Sequence, residues 1–215
     1  MIKKAWLDHS GGVYIYRVHD EKLKGLCNNG LSPLSTFLEN MFTKCPNEYF
    51  KGGPRSSTLK ISLNGLDLKQ ISGHQMSILT KHALDINKER FKQNHEKVQM
   101  FMLENDNDTI AMEVPVWLMK DEIDSFKNFF KSDQPLTGHI DLLKIENGKV
   151  WIWDYKPNAI DEQHAATQIF MYALMINKRT GIPLEDIRCG YFDAKYAFLF
   201  KPELKMLNIK TILDY

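Results

Sequence analysis

Apolar and polar positions are patterned most clearly on either side of Asn147-Gly148. Leu136 to Ile145 and Lys149 to Lys156 are both rich in apolar and aromatic residues and read as the two strands of a hairpin. Asn-Gly is the strongest short-range hairpin signal, because both central residues of a type I′ turn need positive φ. A two-residue turn sets Glu146 opposite Lys149, and counting outward sets Asp141 opposite Asp154 and His139 opposite Lys156. Strand side chains alternate faces, so these four converge on one patch. Leu143, Ile145, Val150 and Ile152 continue that face, while Ile140, Leu142, Trp151, Trp153 and Tyr155 form the other. Both faces are apolar, which places the ribbon centrally in a covered sheet with the acids at its open end.

The remaining pattern supplies the elements around this ribbon. Residues 1 to 31 mix Trp6, Tyr14, Ile15 and Tyr16 with glycine turns, predicting a short strand. A helix opens at Ser32-Pro33, with an apolar stripe of Phe37, Leu38, Met41 and Phe42. Residues 55–69 are polar and read as an exposed loop or hairpin. From Ser72 to about Leu103 no proline intervenes, and Ile78, Leu79, His82 and Ile86 predict one long helix with His82 on its buried stripe. Thr109 to Met119 reads as a strand in which Pro115 signals an edge or bulge. Lys120 to Gln134, with three phenylalanines among charges, reads as a connecting helix or lid. Asp161 is expected to cap a helix reaching about Lys178, on which His164, Gln168 and Tyr172 are successive i, i+4 neighbours. Ile187 to Phe192 and Tyr196 to Phe200 add two strands, and Leu204 to Tyr215 a last strand or short helix.

The expected fold is therefore α/β, a mixed central sheet flanked by helices 72–103 and 161–178, with an N-terminal helical segment. At 215 residues one domain suffices: a segment 1–71, a core 72–200 and an extension 201–215. Hydrophobic content of 43% and charged content of 26% are those of a globular protein, and no apolar run is long enough for a membrane span. The opening lacks an apolar signal region, and Cys27, Cys45 and Cys189 show no Cys-x-x-Cys spacing. A cytoplasmic or nucleoid-associated location is expected. The net charge of +1 is not that of a tight non-specific DNA binder, although basic residues can cluster locally.

Candidate chemistry centres on the opposed acids. Like charges ~5 Å apart repel by roughly 3 kcal/mol at an effective dielectric of 20, so something must offset them. Oxygen ligands from two acids suit Mg²⁺ or Mn²⁺, and Lys156 on the same face can hold an attacking water or a phosphate. An ordinary solvated acid and base near a strand end is the plain alternative for Asp154 and Lys156 taken alone.

An acid on one strand followed by acid-x-lysine on the next resembles the PD-(D/E)XK nuclease superfamily and a restriction-endonuclease-like core. Gly138-His139-Ile140-Asp141 and Asp154-Tyr155-Lys156 are similar to the "G-x-I-D" and "D-Y-K" motifs of its RecB-like branch, which includes CRISPR-associated exonucleases. Gln168 and Tyr172 match the "Q-x-x-x-Y" that follows, implying a role in holding DNA. Glu113 lies in a matching "E-V-P" strand, implying a further acid near the site. The resemblance also implies a helix histidine in the metal shell: His82 is the candidate, with His74 the alternative. The Tyr155 carbonyl is a further expected ligand. Iron–sulfur members of the branch carry four cysteines; only Cys189 lies downstream of Cys45-Pro46, so no iron–sulfur cluster is expected. The implied activity is metal-dependent hydrolysis of DNA phosphodiesters by an exonuclease on ends or single strands, leaving 5′-phosphates. The partner is DNA, with an oligomer or a helicase or recombination protein left open. A site-specific or structure-specific endonuclease and a non-catalytic nucleic-acid-binding subunit are the rivals.

Overall fold

The computed structural model describes residues 1–28, 30–123 and 132–207. Most of the expected Lys120–Gln134 helix or lid, and the end of the C-terminal extension, lie outside the described residues. The Asn147-Gly148 turn forms as the sequence demands, with φ of 52° and 70°. It joins strands β5 (Leu136–Glu146) and β6 (Lys149–Tyr155), paired from Glu146↔Lys149 to Leu142↔Trp153.

Around this ribbon stands one mixed sheet of eight strands. Its order is β1 (Ile2–His9), β2 (Gly12–His19), β4 (Thr109–Leu118), β5, β6, β7 (Ile187–Phe192), β8 (Tyr196–Phe200) and β3 (Lys69–Ser72). Every pairing is antiparallel except β6 with β7. That parallel pair is connected through the longest helix, α5 (Ala165–Thr180), as parallel neighbours require. One face of the sheet is covered by α5, α1 (Asp20–Leu26) and α2 (Ser32–Asn40), which bury Leu23, Leu34, Leu38, Phe170 and Leu174 against it. The other is covered by α3 (Gln75–Ile86) and α4 (Asn94–Asn105), with Met76, Ala83, Val98 and Met102 packed on Met112, Leu142 and Trp153.

Several sequence expectations need correction. The N-terminal residues form a full hairpin, β1–β2, and β2 joins the main sheet beside β4. The segment 55–69 is anchored, not simply exposed: Arg55 donates to the Ser10 carbonyl and the Tyr14 hydroxyl, and Ser56 is fully buried. The single helix expected over 72–103 is two, separated by a turn at 87–93. Helix α3 docks through Met76, Ser77, Thr80 and Ala83, the last three of which are small enough to permit close approach. Its expected apolar stripe instead faces outward, with Ile78 and Ile86 61% and 56% exposed and His82 exposed between them. Asp161 ends a 3-10 turn, and α5 begins later, with His164 at its N-cap position.

Pro115 occupies a register position paired with His139 of β5, beyond the two residue pairs that link β4 to β2. The other edge of β4 is therefore unpaired at that point, and the missing proline N–H disrupts no ladder.

Candidate active site

The β4–β5 pairing keeps its register past the acids but omits the pair Glu113 and Asp141. Met112 pairs with Leu142 and Val114 with Ile140, while Glu113 between them adopts φ 52°. A non-glycine residue in the left-handed region costs on the order of 1 kcal/mol or more and persists only where its surroundings impose it. Strict alternation is interrupted here: Ile140 packs in the cluster around α5, whereas Leu142 packs with α3 and α4. This corrects the assignment of Ile140 and Leu142 to one face. The interruption turns side chains from both sides of the sheet toward its edge at the open end of the ribbon.

Asp141 and Asp154 are 8% and 2% exposed. Backbone pairing of β5 with β6 gives way at this point, and the Tyr155 N–H donates to Asp141 Oδ2 at 2.8 Å. Asp154 accepts from Gln168 Nε2 at 3.2 Å through Oδ1 and pairs with Lys156 Nζ at 2.7 Å through Oδ2. Lys156 also donates to Gln168 Oε1 at 3.1 Å, and Gln168 Nε2 lies 2.9 Å from the Tyr172 hydroxyl. Gln168 and Tyr172 are thus one turn apart on α5, both buried, lying over the strand acids. Gly138 permits this overlay, because a Cβ there would lie 2.3 Å from the Tyr172 ring.

Glu113 enters from β4 and accepts from Gln99 Nε2 of α4 at 2.7 Å. Burial, reinforced by Asp154 and partly countered by the Gln99 hydrogen bond, pushes its carboxyl up to about 7. Burial also drives Asp141 well above the ordinary carboxylate value, with the charges of Asp154 and Glu113 adding to the effect. Lys156 shows the opposite balance: burial alone would lower it, but the adjoining Asp154 carboxylate holds it above its usual value. Three carboxylates therefore cluster where one half-buried ammonium, that of Lys156, pairs with Asp154.

The helix histidine beside these acids is His95, in the first turn of α4. Its Nε2 stands 3.9 Å from Asp141 Oδ2, and its ring meets Tyr155 edge-on at 5.0 Å. Burial lowers its pKa against the pull of Asp154. His82 is exposed on α3, edge-on to Phe101, and His74 caps α3 by accepting from the Met76 N–H. Neither takes the expected place. The polar run Asn87 to Lys97, interrupted only by Phe91, is the sequence signal that separates α3 from α4 and sets His95 at a helix start.

His139 is also drawn elsewhere, although it lies two residues before Asp141. Its Nε2 is 2.8 Å from His9 Nδ1, and its ring stacks on Tyr14 at 3.7 Å. The chain after β6 follows β7, with Lys156 N donating to the Phe192 carbonyl. Lys156 consequently meets Asp154 and Gln168, not His139 as register counting predicts.

Asp141, Asp154 and Glu113 offer hard oxygen donors with more negative charge than Lys156 balances. That donor set fits Mg²⁺ or Mn²⁺, which retain several waters and need few protein ligands. Among the described residues no group of three or more histidine, cysteine or carboxylate side chains is placed so that it could hold a metal ion. Cys27 and Cys189 are buried in the apolar cluster around α5, with Cys189 Sγ against the Ile169 carbonyl, and burial pushes Cys45 up to about 12.

No described helix is long and apolar enough to cross a membrane. No curated protein matches the chain. A family model described as the PD-(D/E)XK nuclease superfamily matches residues 40–207, a span that holds Glu113, Asp141, Asp154, Lys156, Gln168 and Tyr172. With that match covering more than half of its length, the chain belongs to the PD-(D/E)XK nuclease superfamily.

Proposed function

We propose that the protein hydrolyses DNA phosphodiesters as a RecB-like exonuclease acting on ends or single strands, using Mg²⁺ or Mn²⁺ and carrying no iron–sulfur cluster. The observation that carries this reading is the Asp141–Asp154–Lys156 convergence, buried and covered by Gln168 and Tyr172. Asp141 and Asp154 would hold the cation, with the Tyr155 carbonyl and His95 as further ligands and Glu113 behind them. His95 replaces His82 in this scheme, because the exposed face of α3 turns His82 away. When bound, the cation offsets the charge that builds on a phosphoryl oxygen and favours deprotonation of water.

The chain's own groups account for the remaining steps. Lys156, kept cationic by Asp154, donates toward the attacking water or a non-bridging phosphate oxygen and stabilises the negative charge of the transition state. Gln168 donates one amide N–H and presents its oxygen to Lys156, which fixes the ammonium's direction. Tyr172 offers a hydroxyl to the phosphate and a buried ring as the wall. Raised proton affinity at Asp141 and Glu113 means that cation binding must displace protons, so activity is expected to increase with pH through about 7.

The test uses end-labelled single- and double-stranded DNA, closed circles and RNA, each with Mg²⁺, Mn²⁺ or EDTA, alongside Asp154→Asn. Metal-dependent loss of end label from linear DNA alone, absent in the variant, is expected. Nicking of closed circles would shift the reading to an endonuclease. Activity equal in wild type and variant would remove the acid cluster from the account. Visible absorbance with stoichiometric acid-labile sulfide in aerobically purified protein would overturn the cluster-free reading.

A further inference from the structure

The sheet is covered unevenly on the α3–α4 side. Helix α4 seals β4, with Met112 fully buried, but coverage stops there and the β1–β2 hairpin projects beyond it. The hairpin's other face is filled by Leu7, Tyr16 and Val18, all buried against the α2 layer. Its uncovered face follows from strand alternation: Trp6 stands opposite Ile15, Lys4 opposite Arg17 and Asp8 opposite Val13. Trp6 is 60% exposed and Val13 63%, and the Lys4 ammonium lies 4.8 Å from the centre of the Trp6 ring.

This face runs without interruption into a cleft of about 760 Å³ between β2 and the start of α4. Arg17, Phe91, Lys92, His95, Gln99 and Glu113 are among the residues that line it. Ile15, the cross-strand partner of Trp6, lines the cleft together with cations, a second aromatic ring and groups of the acid cluster, and Trp6 stands beside that lining on the hairpin. Two acids share it, Glu96, which pairs with Arg17 at 3.5 Å, and Glu113 itself. Asp8, at the hairpin tip, is paired with Lys51. Residues 1–39, which supply the hairpin, lie outside the family match.

We propose that the uncovered β1–β2 face and this cleft form the track along which one unpaired nucleic-acid strand reaches the acid cluster, with Trp6 as a base-stacking platform. The proposal rests on the nuclease reading and names the state of its substrate. An exposed ring can stack only on a base whose face is free, and duplex DNA hides its base faces in its own stack. The cations of the cleft attract phosphates without reading sequence, and the acids of the cluster repel them until a cation is held there. A strand is thus guided along the hairpin and retained only where hydrolysis takes place.

The experiment measures binding of fluorescein-labelled oligothymidylate, oligouridylate and a blunt duplex to the full chain in Ca²⁺, with indole fluorescence as a second signal. Trp6 is the most exposed of the four tryptophans, so stacking should quench its emission. Trp6→Ala is expected to weaken single-strand binding by about tenfold and abolish the quench, and Trp6→Phe to restore most affinity. Lys92→Glu should weaken binding further as salt is lowered, whereas duplex affinity should respond little to Trp6. Unchanged affinity and quench in Trp6→Ala and Lys92→Glu would overturn the track while leaving Asp154-dependent hydrolysis as a separate result. Strand binding that needs Trp6, without Asp154-dependent cleavage, would sustain the track and fail the nuclease reading. A concentration-dependent dimer dissolved by Trp6→Ala, with no strand binding by the wild type, would make the face a protein contact and overturn the proposal.

Discussion

The two ends of the β5–β6 ribbon treat buried charge in opposite ways. Toward the turn, Lys144 is 3% exposed and pairs with Asp106 at 2.9 Å; Thr109 donates to the same carboxylate, and Met76 sulfur lies against the ammonium. One cation meets one anion, and the remaining lone pairs are used. At the open end, three carboxylates crowd together while the ammonium of Lys156 pairs with Asp154, and the other two are driven upward in pKa. Burying an ion pair is tolerable when each charge is compensated, and burying an excess of one sign is not. The first arrangement holds strands together. The second is stable only by taking up protons or a cation, which is the property a metal-using hydrolase requires.

The comparison is broken most severely by removing an acid from the open end. Asp154→Asn should reduce single-turnover DNA cleavage by at least ~10³-fold, a loss of about 4 kcal/mol. The metal-free variant should melt no lower than wild type, because repulsion on Asp141 and Glu113 is relieved. Divalent cation at ~100-fold excess over its Kd should stabilise wild type by about 2.7 kcal/mol and the variant by much less. Equal stabilisation of both would contradict the charge imbalance argued for this end.

Lys144→Ala is the corresponding break at the turn end. It leaves Asp106 buried without its cation and should cost about 3 to 5 kcal/mol of stability, read by denaturant titration. Cleavage by the folded fraction should persist, so a loss of stability here and a loss of activity there would separate the two roles.

Lys156→Ala should cost roughly 3 kcal/mol of transition-state stabilisation, about 10²-fold in rate, with DNA affinity falling much less. Cleavage at the wild-type rate under saturating enzyme would assign the activity to another site. Gln168→Ala should give a smaller rate loss, since it removes the group that aims Lys156 but leaves the ammonium.

The smallest effect concerns polar burial without net charge. Burial, with His9 and Arg55 nearby, holds His139 well below its ordinary value of 6.5, and burial lowers His9. The unfolded chain therefore binds more protons than the folded one below pH 6.5, so stability is complete above that value and falls as pH drops. The slope from His139 should approach ~1.4 kcal/mol per pH unit, with a smaller part from His9. His139→Gln should flatten it in melts between pH 5 and 7.5; an unchanged slope would place the acid sensitivity elsewhere.

Local chemistry explains which features were legible in the sequence. The Asn147-Gly148 turn sets its own register, so the approach of Asp141 to Asp154 follows from counting along two strands. Gln168 and Tyr172 share a helix face through i, i+4 spacing, and their hydrogen bond needs no distant contact to align them. Strands β7 and β8 follow from their runs of apolar and aromatic residues, and their observed bounds coincide with the expected ones.

Tertiary contacts decided the rest. Periodicity marks a stripe on α3, but the helix docks through Met76, Ser77, Thr80 and Ala83, because the three small residues let it approach its neighbours more closely than Ile78 or Ile86 would. His82 is therefore exposed, and His95 occupies the place beside Asp141. The left-handed backbone of Glu113, the diversion of His139 to His9 and the addition of β1–β2 to the sheet each depend on residues tens of positions away. Turn geometry and helical spacing are properties of a few adjacent residues, so the sequence alone determines them. The packed face of a helix and the partner of a buried side chain depend on which distant surface arrives, and only the assembled sheet decides that.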